Sequence, residues 1–113
     1  MVSLNNFYIL KEHREFQYVY KKGKSFHTPS MILFALPTQN IKKVGFTATK
    51  KIGNAVIRNR AKRRLRALFL EFSPQLKDAT FVLVAKDHIT QATYSELKSD
   101  FYKSLTRLKC LDV

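Results

Sequence analysis

One cysteine, three glycines, three prolines and no tryptophan occur among the 113 residues. A single thiol allows no intrachain disulfide and no multi-cysteine zinc site, so Cys110 reads as a small apolar residue on the last helix. His13, His27 and His88 are scattered without ligand spacing, and no metal site is expected in the chain. No apolar run approaches the ~18 residues of a membrane span. The start, MVSLNNFYILKEH, lacks the basic segment, apolar core and cleavage site of a secretion signal. The expectation is a soluble, cytoplasmic protein with no membrane partner. Nor is there a linker, repeat or low-complexity stretch, so residues 1–113 read as one domain, long enough to bury a core unaided. The most telling absence is of negative charge. The eight Asp and Glu lie at Glu12, at Glu15 and from Glu71 onward, leaving residues 16–70 without a carboxylate side chain.

Those residues hold 13 of the 21 Lys and Arg, and the remaining eight cations cancel the eight acids, so the whole formal charge of +13 belongs to this stretch. A field with such a location concentrates polyanions near one face, and nucleic acid is the leading candidate. If roughly five to eight cations displace counterions from phosphates, log affinity should fall against log salt with a slope of about −4 to −7. The densest part is Lys50 to Arg66, KKIGNAVIRNRAKRRLR, where six of the last nine residues are basic. Helices that carry Lys and Arg only for solubility normally interleave Glu at i, i+4; here the first Glu is Glu71.

The sequence alternates helical and extended signals. Lys11–Lys22 places Phe16, Val19 and Tyr20 on one helical face, with Gly23 where a left-handed cap would end the helix. SMILFAL, residues 30–36, and VGFTAT, residues 44–49, read as strands and are expected to pair as neighbours across the loop at 37–43. Gly53-Asn54 makes a turn, and Asn54 can cap a helix beginning near Ala55. On that helix Ile57, Ala61, Leu65, Leu68 and Phe72 share one sector, with Asn59, Lys62, Arg63 and Arg66 opposite. Pro74 ends it. TFVLVA, residues 80–85, reads as a central strand buried on both faces. Thr93 and Glu96 form a capping box before Leu97, Phe101, Leu105 and Leu108. The order is α-β-β-α-β-α, an α/β (α+β) sandwich on a mixed sheet. Crossover handedness is not legible, although right-handed is the default.

Catalytic signatures are missing. The basic half has no carboxylates for metal-assisted phosphodiester cleavage, and the pairs Glu12/Glu15 and Glu96/Asp100 read as solvated helix charges. No G-x-S-x-G, H-E-x-x-H, Walker or dinucleotide motif occurs. Autonomous catalysis is not expected, and no catalytic residue is assigned. Phe16, Tyr20, Phe26 and Phe34 interleave with the cations, as rings that stack unpaired bases do and as rings of an ordinary core also would.

The run Lys50–Arg66, with Arg58-Asn59-Arg60 at its centre, together with F-x-x-V-Y-x-x-G at Phe16–Gly23, V-G-F-T-A-T and the apolar strand near residue 83, resembles the bacterial ribonuclease P protein component over residues 10–108. The resemblance implies a protein that cuts no RNA itself but joins a catalytic RNA subunit, whose magnesium-dependent hydrolysis removes the 5′ leader of precursor tRNA. The chain would bind no cofactor of its own, the holoenzyme's Mg2+ acting through the RNA. The RNA subunit and precursor tRNA would be its partners, with no obligate protein partner. RNA-subunit contacts would fall to Lys50, Lys51, Asn54, Arg58, Asn59, Arg60, Lys62, Arg63 and Arg66. The leader would lie in a cleft with Phe16, Tyr20 and Phe34. The resemblance also implies a left-handed β-α-β crossover around the basic helix. The long basic tail of some relatives is missing after Val113, so no contact from such a tail is expected. A general RNA-binding or ribosomal protein is the alternative reading; it would not prefer leader-bearing tRNA to mature tRNA.

Overall fold

The computed structural model describes residues 3–4 and 6–112. Six strands form one mixed sheet: β1 (Ser3–Leu4), β2 (Phe7–Ile9), β3 (Lys24–His27), β4 (Met31–Pro37), β5 (Lys42–Ala48) and β6 (Ala79–Ala85), in the spatial order β1-β2-β5-β6-β4-β3. Three helices, α1 (His13–Lys22), α2 (Ala55–Phe72) and α3 (Tyr94–Arg107), pack on it. Short 3-10 turns lie at Lys50–Ile52, Ser73–Gln75 and Asp87–Thr90. The six expected elements occur in the expected order, and β1, β2 and β3 are additional.

The expected pairing of the SMILFAL and VGFTAT strands is corrected. β6 lies between them, parallel to β5 and antiparallel to β4. β6 is almost wholly buried, so both its edges and both its faces are best covered at the centre of the sheet. The four residues 38–41 can span the roughly 10 Å of two interstrand spacings. Asn40 turns this link with φ 61°, and its amide donates to Asp78 Oδ2 at 3.2 Å, anchoring it beside the start of β6. Helix α2 then connects β5 to β6 as a crossover between parallel neighbours.

Each helix is set by local chemistry. Asn54 Oδ1 accepts the Ile57 amide at 3.0 Å, and Gly53 enters the helix at φ 153°, a conformation side-chain-bearing residues rarely adopt. Ala61, Leu65, Leu68 and Phe69 of α2 are buried; each large side chain contributes about 1.5–3 kcal/mol by leaving water. Phe69 falls outside the expected sector and packs edge-on to Phe7 with ring centroids 4.9 Å apart. Thr93 and Glu96 complete the capping box of α3, whose Leu97, Phe101 and Leu105 are fully buried. Two expectations fail locally. Gly23 is extended (φ −81°, ψ 169°), not left-handed, because the chain passes directly into β3; a Cβ there would meet the Val19 carbonyl at 2.7 Å. Cys110 is buried just beyond α3 instead of on it.

Helices α2 and α3 cover one face of the sheet with the main core, including Met31, Leu33, Phe46, Phe81 and Leu83. The other face carries α1 and a smaller cluster around Leu10, Val19 and Val82, with Phe16, Tyr20 and Phe34 packed against it.

Candidate nucleic-acid interface

Helix α2 leaves three of its six cations exposed and none of them buried. Lys50 and Lys51 sit exposed in the 3-10 turn that leads to it; Asn59, Arg60, Arg63 and Arg66 are exposed, while Arg58 and Lys62 are half-buried. None of these cations has a carboxylate partner among the described residues, whose ion pairs are Arg14–Glu12, Lys42–Asp78, His88–Glu96 and Lys98–Glu71. Asn59, Lys62, Arg63 and Arg66 meet Ile9, Leu10 and Phe46 along a trough of about 310 Å³. Arg66 stands 5.8 Å from the Phe46 ring centroid, so the aromatic face steadies the cation without neutralising it. Two expected contact residues have structural duties as well. Asn54 is the helix cap, and Arg58 Nη1 donates to the Gly53 carbonyl at 2.9 Å, closing the turn.

The sheet register defines the second surface. On the α1 face, Ser25, Phe34, Val82 and Gly45 form one row across β3, β4, β6 and β5. Helix α1 lies over this row. A Cβ on Gly45 would come within 2.5 Å of the Phe16 ring, so the missing side chain is what lets Phe16 rest on the sheet. Tyr20 and Phe34 meet with ring centroids 4.8 Å apart at 58°. Burial pushes the Tyr20 phenol above its usual pKa. The next row, His27, Ile32, Val84 and Thr47, has no buried member and is left open beside α1. Thr47 lies three residues before Lys50, so this row ends where the cations begin.

Phe16, Tyr20 and Phe34 are thus brought together. Phe26 is not. It faces the α3 side of the sheet, where the Arg107 guanidinium lies 5.5 Å from its ring centroid. Sequence reasoning missed the apolar wall supplied by Ile9 and Leu10, for which the β-prone FYIL run was the available signal. It also gave no role to Arg64, whose Nη1 and Nη2 donate to the carbonyls of Ile89 and Ala92, each at 2.6 Å. Those partners lie 25 and 28 residues away, and nothing in the local sequence announces them.

Comparison with known proteins bears directly on this arrangement. The model of the family described as Ribonuclease P matches residues 4–109. A ribonuclease P protein component of Nitratiruptor sp. is 45% identical over 100 residues, covering 88% of this chain and 91% of that protein. One from Bacillus pumilus is 39% identical over 102 residues, covering 88% and 82%. Among solved structures, the Staphylococcus aureus RNase P protein superposes with a TM-score of 0.81 at 25% identity, covering 92% of this chain and 97% of that one. The Thermotoga maritima RNase P protein shares the fold, with a TM-score of 0.72 at 21% identity over 88% and 94%. The chain belongs to the ribonuclease P protein component family.

Proposed function

We propose that this chain is the protein subunit of ribonuclease P. It binds the catalytic RNA subunit through the outward flank of α2, using Lys50, Lys51, Asn54, Arg58, Asn59, Arg60, Lys62, Arg63 and Arg66. It holds the single-stranded 5′ leader of precursor tRNA along the open strip beside α1, with Phe16, Tyr20 and Phe34 as its aromatic wall. The observation that carries this reading is the line of unpaired cations along the α2 trough, joined through β5 to the partly exposed row of His27, Ile32, Val84 and Thr47. Phosphates suit the first surface and unpaired bases the second.

Bond breaking is assigned to the RNA. No group of three or more His, Cys, Asp or Glu is gathered among the described residues, and the basic half offers no carboxylate oxygen to a hard cation. In this reading magnesium belongs with the RNA subunit. The protein's part is to screen repulsion between two polyanions and to add contacts that mature tRNA, lacking a leader, does not make; substrate is then favoured over product. The alternative, a general RNA-binding protein, requires no such preference. The test is cleavage of precursor tRNA by the cognate RNA subunit across a magnesium series, with and without the protein. The expected result is a lower magnesium demand in its presence, together with tighter binding of precursor than of mature tRNA. An unchanged demand, or equal affinity for the two tRNAs, refutes the proposal.

A further inference from the structure

On the flank of α2 away from the trough, a cavity of about 440 Å³ opens between the helix and the Asp87–Thr90 turn. Its size falls in the range of small-ligand sites. Ile52, Ile57, Ala61 and Ile89 give it apolar walls, while Arg60, Arg64 and Thr90 supply the polar groups; no carboxylate side chain lines it. Arg64 is an unusual wall. With two of its N–H groups committed to the Ile89 and Ala92 carbonyls, the guanidinium is held in place where it lines the cavity. Thr90 Oγ1 donates to the Asp87 carbonyl at 3.1 Å and retains capacity to accept.

We propose that this cavity receives one unpaired nucleobase of the RNA subunit, an inference that rests on the function proposed above. The chemistry matches a base in each respect: apolar walls for its faces, an immobilised guanidinium plane for stacking, and edge groups for hydrogen bonding. The site is also where a base would be delivered. Lys51 immediately precedes the wall residue Ile52, and Arg60 is itself a wall, so phosphate contacts and a receptacle for the attached base lie side by side. The α2 trough differs in kind, with the four polar side chains of Asn59, Lys62, Arg63 and Arg66 over Ile9, Leu10 and Phe46. It follows that Arg64 contributes a surface and a fixed geometry, not a phosphate contact.

The test uses the full chain and its cognate RNA subunit. With isoleucine methyls labelled, saturation by the RNA should move the Ile52, Ile57 and Ile89 resonances upfield, as the ring current of an inserted base requires. The variant Thr90→Trp, made at an exposed rim position and checked for an unchanged melting temperature, should bind the RNA subunit roughly tenfold more weakly, the scale of one base stack. Its salt slope should equal that of the unaltered chain, because no phosphate contact is lost. Methyl signals that stay put while the chain binds RNA with a steep salt slope would overturn the inference and leave the proposed function standing; so would a Thr90→Trp variant of undiminished affinity. If the unaltered chain fails to bind the RNA subunit at all, the functional proposal falls and this site falls with it.

Discussion

Helix α2 changes electrostatic regime along its length. From Arg58 to Arg66 its outward cations meet no carboxylate among the described residues, whereas at its C-terminal end Glu71 accepts Lys98 Nζ at 2.8 Å and the Tyr94 hydroxyl at 3.0 Å from α3. Those two partners hold the Glu71 carboxyl below its usual pKa. Farther along the same seam, the Thr93 amide and His88 do likewise for Glu96. One end of the helix satisfies its charge within the molecule, and the other keeps it available. The difference teaches that abundance of Lys and Arg is a poor guide to an interface by itself. Absence of intramolecular partners is the better one, since unpaired like charge on one flank is repulsive until a polyanion arrives.

The largest blow to this contrast is charge reversal at the unpaired end. The double variant Arg63→Glu/Arg66→Glu should lower affinity for the RNA subunit roughly a hundredfold or more at moderate salt and flatten the log–log salt slope by about two. Filter binding at several salt concentrations measures both quantities. Next comes the aromatic strip. Tyr20→Ala removes the ring paired with Phe34, and should reduce the preference for leader-bearing over mature tRNA by about five- to a hundredfold while leaving RNA-subunit affinity intact. Parallel titrations with the two tRNAs separate these effects.

The buried thiol just beyond α3 should respond to pH instead of salt. Burial pushes the Cys110 thiol up to about 11, outweighing the opposing pull of Lys77 and Lys24. A raised pKa favours the neutral thiol in the fold. The corresponding stability is fully present below the ordinary value of 9.0 and is lost as pH rises through about 11. Urea unfolding across that window should show the decline, and Cys110→Ala should reduce it. The smallest effect is expected at the paired end of α2. Lys98→Met should leave both the salt slope and the RNA affinity unchanged, because a half-buried, already paired charge has little to offer phosphates.

The legible parts of the fold share one property: their information is local. The acid-free run around Arg58-Asn59-Arg60, the Asn54 cap, the Thr93–Glu96 box and the buried β6 run each reside within a few consecutive residues. Strand order is different in kind. β6 separates β4 from β5 because of pairings that reach up to 54 residues along the chain, as Met31 with Ala85, and the hydrophobic pattern of neither outer strand encodes them. β1, β2 and β3 were missed because strands of two to four residues carry too little periodicity to detect. The candidate site divides the same way. Its cations and its three aromatic residues could be named, but the open row of His27, Ile32, Val84 and Thr47 exists only once the register is set. The structural duty of Arg64 exists only through carbonyl partners far along the chain.

Affinity of the full chain for its cognate RNA subunit, measured as a function of salt concentration, probes the unpaired cations most directly. Release of counterions by five to eight side chains requires a log–log slope of about −4 to −7. A slope near zero with binding intact would mean that the α2 flank meets no phosphates, contradicting the account at its root.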